Sequence, residues 1–462
     1  MSGDNVVKLQ TRRYDAASRT ARTNGWVTPA TDANAAIVNP NLIRNRARDL
    51  VRNNPWVAKG VGVITNNVVG YGIRAQWSAP TKRAAKRASD LWAAWAESTQ
   101  CDAQGLTNFY GLQQVVMRAV ATDGECLVRM RPRRPEDRLA VPLQLQALEC
   151  DHLYEFNDGP TAIGGYIQRG IEYDPIGRRI AYYLYRFHPG ATGRFAGSFG
   201  AQYSRVPADE VIHVFRADRP GQERGVSWLA PVMIRCRDFD IFEDAFLGRQ
   251  KLANLFAGFL YTDNPEDISE LTDVEELIPG SLYTLRPERR IEFNAPPPAA
   301  DYAPYTASVL QAIAAGMGIT YEALTGDFSR VTFSSGRMGW QEFGRSVDSW
   351  RWQMLIPQMC EGVARWFIDF AGLSGASSTW SPPARIMVDP AREIPPIIAT
   401  VRAGLMTLPE AIRSFGYDPA AVIDEIAAFN SELDAAGVVL DTDPRKTSQQ
   451  GQWQNNGQQQ ND

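Results

Sequence analysis

"GMGITYEALTGDFSRVTFSSGRMGW", residues 316–340, changes character twice. It begins within an apolar, alanine-rich stretch where Val309, Leu310, Ile313 and Met317 read as the buried side of a helix. It ends at the start of a long aromatic helix. Between the two stand Thr325, Gly326, Asp327, Ser329, Arg330, Thr332, Ser334, Ser335 and Gly336, residue types that favour loops. What a polar, glycine-bounded segment between two well-marked helices would touch depends on the chain around it.

Upstream, residues 227–256 read as a helix in which Leu229, Val232, Cys236, Phe239, Phe242 and Phe246 step by three and four, the spacing of a core face. An acidic insertion follows, with Asp263, Glu266, Asp267, Glu270, Asp273, Glu275 and Glu276 and no base over residues 262–285. Two short strands, "SLYTLRP" and "RRIEFN", and a stiff "APPPAA" close it before a second helix over residues 302–317. The order is helix, insertion, helix, polar loop. After the loop a helix of some thirty-five residues carries Phe343, Val347, Trp350, Met354, Val363, Trp366 and Phe370, and Pro357 is expected to kink it.

The flanks are simpler. The first residues are polar and aperiodic, an arm expected to be flexible. Helices follow at "NPNLIRNRARDLV", from Pro55, in "KRAAKRASDLWAAWAES" and in "LTNFYGLQQVVMRAVATDG". "ECLVRMRP", "LQLQALEC", "IGGYIQRGIEYD" and "RIAYYLYRFHP" read as strands. Near the C-terminus Thr407 lies three residues before Glu410, a capping-box spacing, and Asp418-Pro419 starts another helix. The Gln/Asn-rich tail has little to bury and is expected to be disordered.

A chain of 462 residues exceeds one ordinary core, so roughly two to four domains are expected. Its 44% hydrophobic and 22% charged residues are those of a folded, soluble protein, the helical and strand patterns together are those of an α+β fold, and no apolar run reaches the ~18 residues of a membrane helix. No secretory signal opens it. Cys101, Cys126, Cys150, Cys236 and Cys360 are scattered without CxxC spacing, which fits buried thiols in a reducing cytoplasm. Charge is uneven: residues 1–87 hold fifteen Lys/Arg against four Asp, whereas residues 262–285 and 404–443 are acidic.

Motifs for catalysis are missing. No Gly-Lys dipeptide exists, hence no phosphate loop to power a motor, and no HExxH. Of the three histidines, His213 in "VIHVF" alternates with apolar residues and reads as a packed strand residue. Glycine pairs at 60/62 and 70/72 lack the third glycine of a dinucleotide fold, and "GVSWL" is not a nucleophile elbow. Neither an enzyme, a cofactor nor a metal site is expected.

Four stretches, "DLVRNNPWVAKGVGVITNNVVGYG", "VIHVFRADRPGQERGVSWLAPV", "IAAGMGITYEALTGDFSRVTFSSGR" and "AGLMTLPEAIRSFGYDP", together resemble the lambda-type portal proteins of tailed bacteriophages, over roughly residues 39–429. The resemblance implies the portal fold: a basic arm (1–38), a β-containing wing (39–226), a first stem helix (227–258), a small α/β clip (259–301) and a second stem helix (302–324). A tunnel loop (325–336), a long kinked helix completing the wing (337–391), a crown (392–444) and the tail (445–462) follow. It also implies a ring of about twelve copies at one capsid vertex, a conduit for double-stranded DNA in packaging and ejection. Implied partners are terminase, major capsid and scaffold proteins and head–tail adaptors, with no membrane. The implied places are the virion and, during assembly, the host cytoplasm.

On that reading Asp327, Ser329, Arg330, Thr332, Ser334, Ser335 and Arg337 would face the channel, giving weak, sequence-blind phosphate contacts. The seven acids of residues 263–276 would form the clip's partner surface. Two other readings stand beside it: a packaging enzyme, opposed by the missing phosphate loop, and another ring-forming head–tail connector or minor capsid protein.

Overall fold

The computed structural model describes residues 21–191, 202–255, 259–262, 289–292 and 302–446, apart from positions 27, 29, 386, 388, 442 and 444. Two helices open it, α1 (Pro40–Asn53) and α2 (Pro55–Val68). Asn54 sets the break between them: its side chain accepts the Val57 N–H at 2.9 Å, and Pro55 occupies the first turn, where no N–H is needed. Strand β1 (Arg74–Ser78), helix α3 (Lys82–Ala96) and helix α4 (Phe109–Asp123) follow. α3 turns Trp92 and Trp95 inward and its lysines and arginines outward, as its pattern requires. Trp92 packs edge-on against Phe367 at 4.9 Å and Phe109 at 5.2 Å, so distant segments meet in one aromatic core.

Gly124 ends α4 in the left-handed conformation (φ 97°) and reverses the chain into β2 (Glu125–Pro132). β2 is the middle of an antiparallel sheet, between β3 (Leu143–Leu148) and, later in the chain, β9 (Val211–Phe215). The segment between those two strands forms a second antiparallel sheet of β4 (Gly159–Pro160), β5 (Tyr166–Gln168), β6 (Ile171–Tyr173), β7 (Arg179–Tyr185) and β8 (Tyr203–Pro207), paired in that order. "IGGYIQRGIEYD" thus folds as a hairpin rather than as one strand. Arg169 and Gly170 both take positive φ (50° and 80°) at its turn, the geometry that matches strand twist.

Helix α5 (Met233–Leu255) starts six residues later than its apolar spacing suggests. Ser227 Oγ accepts the Leu229 N–H and Pro231 has no N–H to give, so Trp228, Leu229 and Val232 are buried from a turn instead. The hairpin β10 (Phe259–Thr262) and β11 (Arg289–Glu292) then appears. Its second strand falls within the expected "RRIEFN", whereas "SLYTLRP" and all seven clip acids lie outside the described residues. Helix α6 (Tyr302–Met317) returns beside α5, with Phe246 stacked on Tyr302 at 4.4 Å and Phe242 against Tyr305 at 4.6 Å.

α6 has the bounds expected of the second helix, residues 302–317, but the segment over 302–324 implied as a stem helix is two helices. Gly318 (φ 73°) breaks it, Thr320 caps a new start, and α7 (Tyr321–Thr325) is the short second piece. After the loop, α8 (Phe333–Trp350), a π-helical stretch (Arg351–Cys360) and α9 (Glu361–Ala371) run without interruption. The wide π turn contains Pro357 and accommodates its missing N–H. Gln358 in that stretch brackets the edge of β9, accepting from Phe215 N at 2.9 Å and donating to Phe215 O at 3.0 Å. β12 (Ser377–Ser381) pairs with β1, and α10 (Pro390–Arg402), α11 (Leu408–Ser414) and α12 (Pro419–Ala436) end the described chain.

Candidate functional site

The segment between α7 and α8 is shorter than the sequence suggests. Thr325 closes α7, Gly326 caps it in the left-handed conformation (φ 75°), and the loop proper is residues 326–332. Ser334, Ser335 and Gly336 belong to the first turn of α8, as does Arg337 to the turn that follows. The cause is a reciprocal box: Thr332 Oγ1 accepts the Ser335 N–H at 3.2 Å and Ser335 Oγ accepts the Thr332 N–H at 3.0 Å. These two hydroxyls are therefore engaged at the helix start, and the glycine at 336 sits in regular helix rather than at a hinge.

Within the loop Asp327 accepts the Ser329 N–H at 3.0 Å, a local turn, and hydrogen bonds from the Ser329 side chain and backbone hold its carboxyl below the usual range. Arg330 and Arg337 are exposed and form no ion pair among the described residues. Phe328, Phe333 and Met338 were absent from the sequence-based candidates, yet they stand 65%, 51% and 71% exposed along the same rim. The candidate set held only polar and charged residues, so these three apolar side chains fell outside it. Arg337 and Trp340 also border a cleft of about 830 Å³ between α8, β12 and helices α10 and α11.

A second constellation lies under the "VIHVFRADRPGQERGVSWL" motif. Glu125, the first residue of β2, is fully buried and accepts from Arg224 (Nε–Oε2 2.9 Å, Nη2–Oε1 2.6 Å), from His213 Nε2 (2.9 Å) and from Gly225 N (2.8 Å). Arg44 of α1 reaches the same carboxylate at 3.4 Å, and Arg224 Nη1 continues to Glu155 at 2.8 Å. Burial alone would push the Glu125 carboxyl up, but the Arg224 guanidinium and the His213 N–H hold it well below the usual carboxylate range. His213 is brought down to about 4 by burial against the pull of Glu125, so it donates as a neutral imidazole.

His213 is thus a packed strand residue in a polar joint. Glu125, Cys150 and His213 approach to within 4.8 Å of one another, but two guanidiniums already neighbour that carboxylate and would repel a cation. All five cysteines are buried and unpaired. No described helix is long and apolar enough to cross a membrane. Spacing alone could not reveal this joint, because its members run from Arg44 to Gly225; the only signal was the cluster Glu223-Arg224-Gly225 after a strand.

Residues 19–351 match the model of the lambda family of phage portal proteins. The chain is 25% identical over 463 residues to a probable portal protein of Halomonas phage phiHAP-1, covering 90% of this chain and 86% of that one. It is 20% identical to portal protein B of Escherichia phage lambda, covering 89% and 88% of the two chains. Among solved structures it is similar to a chain of the virion of a native gene transfer agent particle, with TM-score 0.49, 13% identity and coverage of 83% and 94%. The family model spans well over half of the sequence and includes the helix–insertion–helix–loop order, the buried joint and α8: this chain belongs to the lambda family of phage portal proteins.

Proposed function

We propose that this portal protein closes into a ring of about twelve copies at one capsid vertex and conducts double-stranded DNA during packaging and ejection. Family membership is the observation that carries this reading. The surface supports it: Ile234, Ile241 and Leu247 on α5 are 75%, 55% and 52% exposed, more apolar surface than a lone helix pair would leave to water. In the ring, the 326–332 loop with Arg330 and Arg337 faces the axis and meets phosphate without reading sequence. Asp327 and the engaged hydroxyls of Thr332 and Ser335 keep that attraction weak, which suits sliding DNA.

The acids Asp263, Glu266, Asp267, Glu270, Asp273, Glu275 and Glu276 present the docking surface for terminase and head–tail joining proteins. The basic N-terminal residues meet capsid, scaffold or DNA, the ring nucleates the procapsid, and the chain itself performs no catalysis. Native mass spectrometry and negative-stain microscopy of the purified protein test the reading. A closed assembly near twelve or thirteen subunits with an axial hole is expected. A protein that stays monomeric at high concentration with its scaffold present would overturn it.

A further inference from the structure

One face of β2 carries a row of arginines with no carboxylate paired to them among the described residues. Arg129 and Arg131 alternate along the strand, and Arg133 continues the series just past its end, where its N–H still bonds Pro142 O at 2.9 Å. Alternate strand residues share a face and follow one another at roughly 7 Å. Across the sheet Gln146 is paired with Arg129 and Gln144 with Arg131. Both amide carbonyls accept from the row: Arg131 Nε to Gln146 Oε1 is 2.7 Å and Arg133 Nε to Gln144 Oε1 is 2.6 Å. The Gln144 amide is itself held, donating to the carbonyls of Gln100 (2.8 Å) and Asp102 (3.2 Å). Neutral partners therefore aim two of the three guanidiniums.

Such a row is unfavourable by itself. Arg129 and Arg131 are half-buried and Arg133 is exposed. Burial lowers the Arg129 guanidinium, and burial with repulsion from both neighbours lowers Arg131. Glu210 attracts both without forming an ion pair, and Glu136 and Asp137 in the following turn pair with none of the three. Arginine stems alone could cover the sheet, but that would not need amides fixed to aim the charged ends. Guanidinium forks at this pitch fit anions repeated at the same interval, as phosphates are along one strand of a duplex. The described acids of α12 fit less well: Glu425 and Glu432 lie about 10 Å apart along their helix. Asp434 is already held by Arg445 and Lys446. We propose that the Arg129–Arg131–Arg133 row docks the phosphate backbone of double-stranded DNA on the three-stranded sheet, outside any channel. The contact goes beyond the conduit reading, since it requires neither a ring nor threaded DNA.

The test measures binding of a covalently closed circular duplex to the full-length protein by filter retention over a salt series. A closed circle cannot thread a closed ring, so its binding reports surfaces outside the channel. Arg131→Gln with Arg133→Gln is expected to keep the melting temperature and to make the slope of log affinity against log salt shallower by about two. Arg131→Lys with Arg133→Lys retains the charges and is expected to retain most of that slope. Unchanged affinity and slope in the Gln variant would overturn the inference and leave the conduit reading in place. A Lys variant as weak as the Gln variant would assign the loss to a disturbed sheet, which also overturns it. Labelled polyglutamate that binds the wild type but not the Gln variant, with circle binding equal in both, would make the partner an acidic protein instead. A protein that forms no ring, yet loses circle binding in the Gln variant, would remove the ring reading alone.

Discussion

Arg224 and Glu125 face each other through two guanidinium–carboxylate bonds, with both side chains almost sealed from water. They join the loop that leads into α5 to β2, the middle strand of the three-stranded sheet, and Arg44 adds α1 to the same point. Removing one partner leaves the other charged and buried, which typically costs roughly 3–5 kcal/mol. Arg224→Met and Glu125→Gln are therefore each expected to lower stability on that scale in chemical denaturation. The double variant should lose less than the sum, because it strands neither member of the pair, and Arg44 keeps Asp151 at 3.8 Å. Additive losses would show that the pair is not coupled.

The same joint sets a direction for acid sensitivity. The His213 folded value of about 4 lies below that of an unfolded histidine, so the unfolded chain binds more protons between about pH 6.5 and 4. Stability present above that window is lost as pH falls through it, on the order of 3 kcal/mol for a shift of this size. Glu125, held low, adds a loss in the same direction at still lower pH. His213→Gln is expected to flatten the fall in stability between pH 7 and pH 4.5, whatever it does to stability at pH 7. An unchanged slope would assign the acid sensitivity elsewhere.

Close backbone approach at Gly124 and Gly225 makes a third prediction. A Cβ at Gly225 would lie 2.2 Å from the Gly124 carbonyl oxygen, and one at Gly124 would lie 2.3 Å from the Val226 carbonyl carbon. Neither neighbour is a movable side chain. Gly225→Ala is expected to cost about 1–3 kcal/mol by forcing the loop before α5 away from β2. Thermal melting of that variant should fall well below that of Gly221→Ala, where no atom lies within 4 Å and only the positive φ (76°) is penalised.

How much of this could be read beforehand follows from the range of each interaction. Helix starts at Pro55, Thr407 and Asp418 were legible because a cap acts over three residues. The long helix after the loop was legible from its stripe, but the π turn around Pro357 was not, since a proline signals a break without saying how the chain absorbs it. β1 and β12 stayed hidden because each is only five residues and its partner lies about 300 positions away. The joint around Glu125 was invisible for the same reason. At the loop, glycines at 326 and 336 looked equivalent; only the Thr332–Ser335 box decides that the first ends a helix and the second lies inside one.

That box fixes how the loop must be tested. Removing residues 327–331 spares the Thr332 cap, so α8 should keep its start, and the deleted side chains bury little. Ring assembly is expected to survive. If the loop faces moving DNA, packaged DNA and infectivity should fall in the deletion. Arg330→Ala should weaken DNA retention in a salt-dependent way, because each lost phosphate contact lowers the salt slope by roughly one. Arg337→Ala separates two roles: it points from the first turns of α8 and borders the cleft beneath α10. A loss of retention without loss of thermal stability would place it with Arg330, whereas a lowered melting temperature would place it in the wall. Full packaging and infectivity from the deletion ring would sink the channel assignment, and failure to form rings at all would make the segment a structural connector.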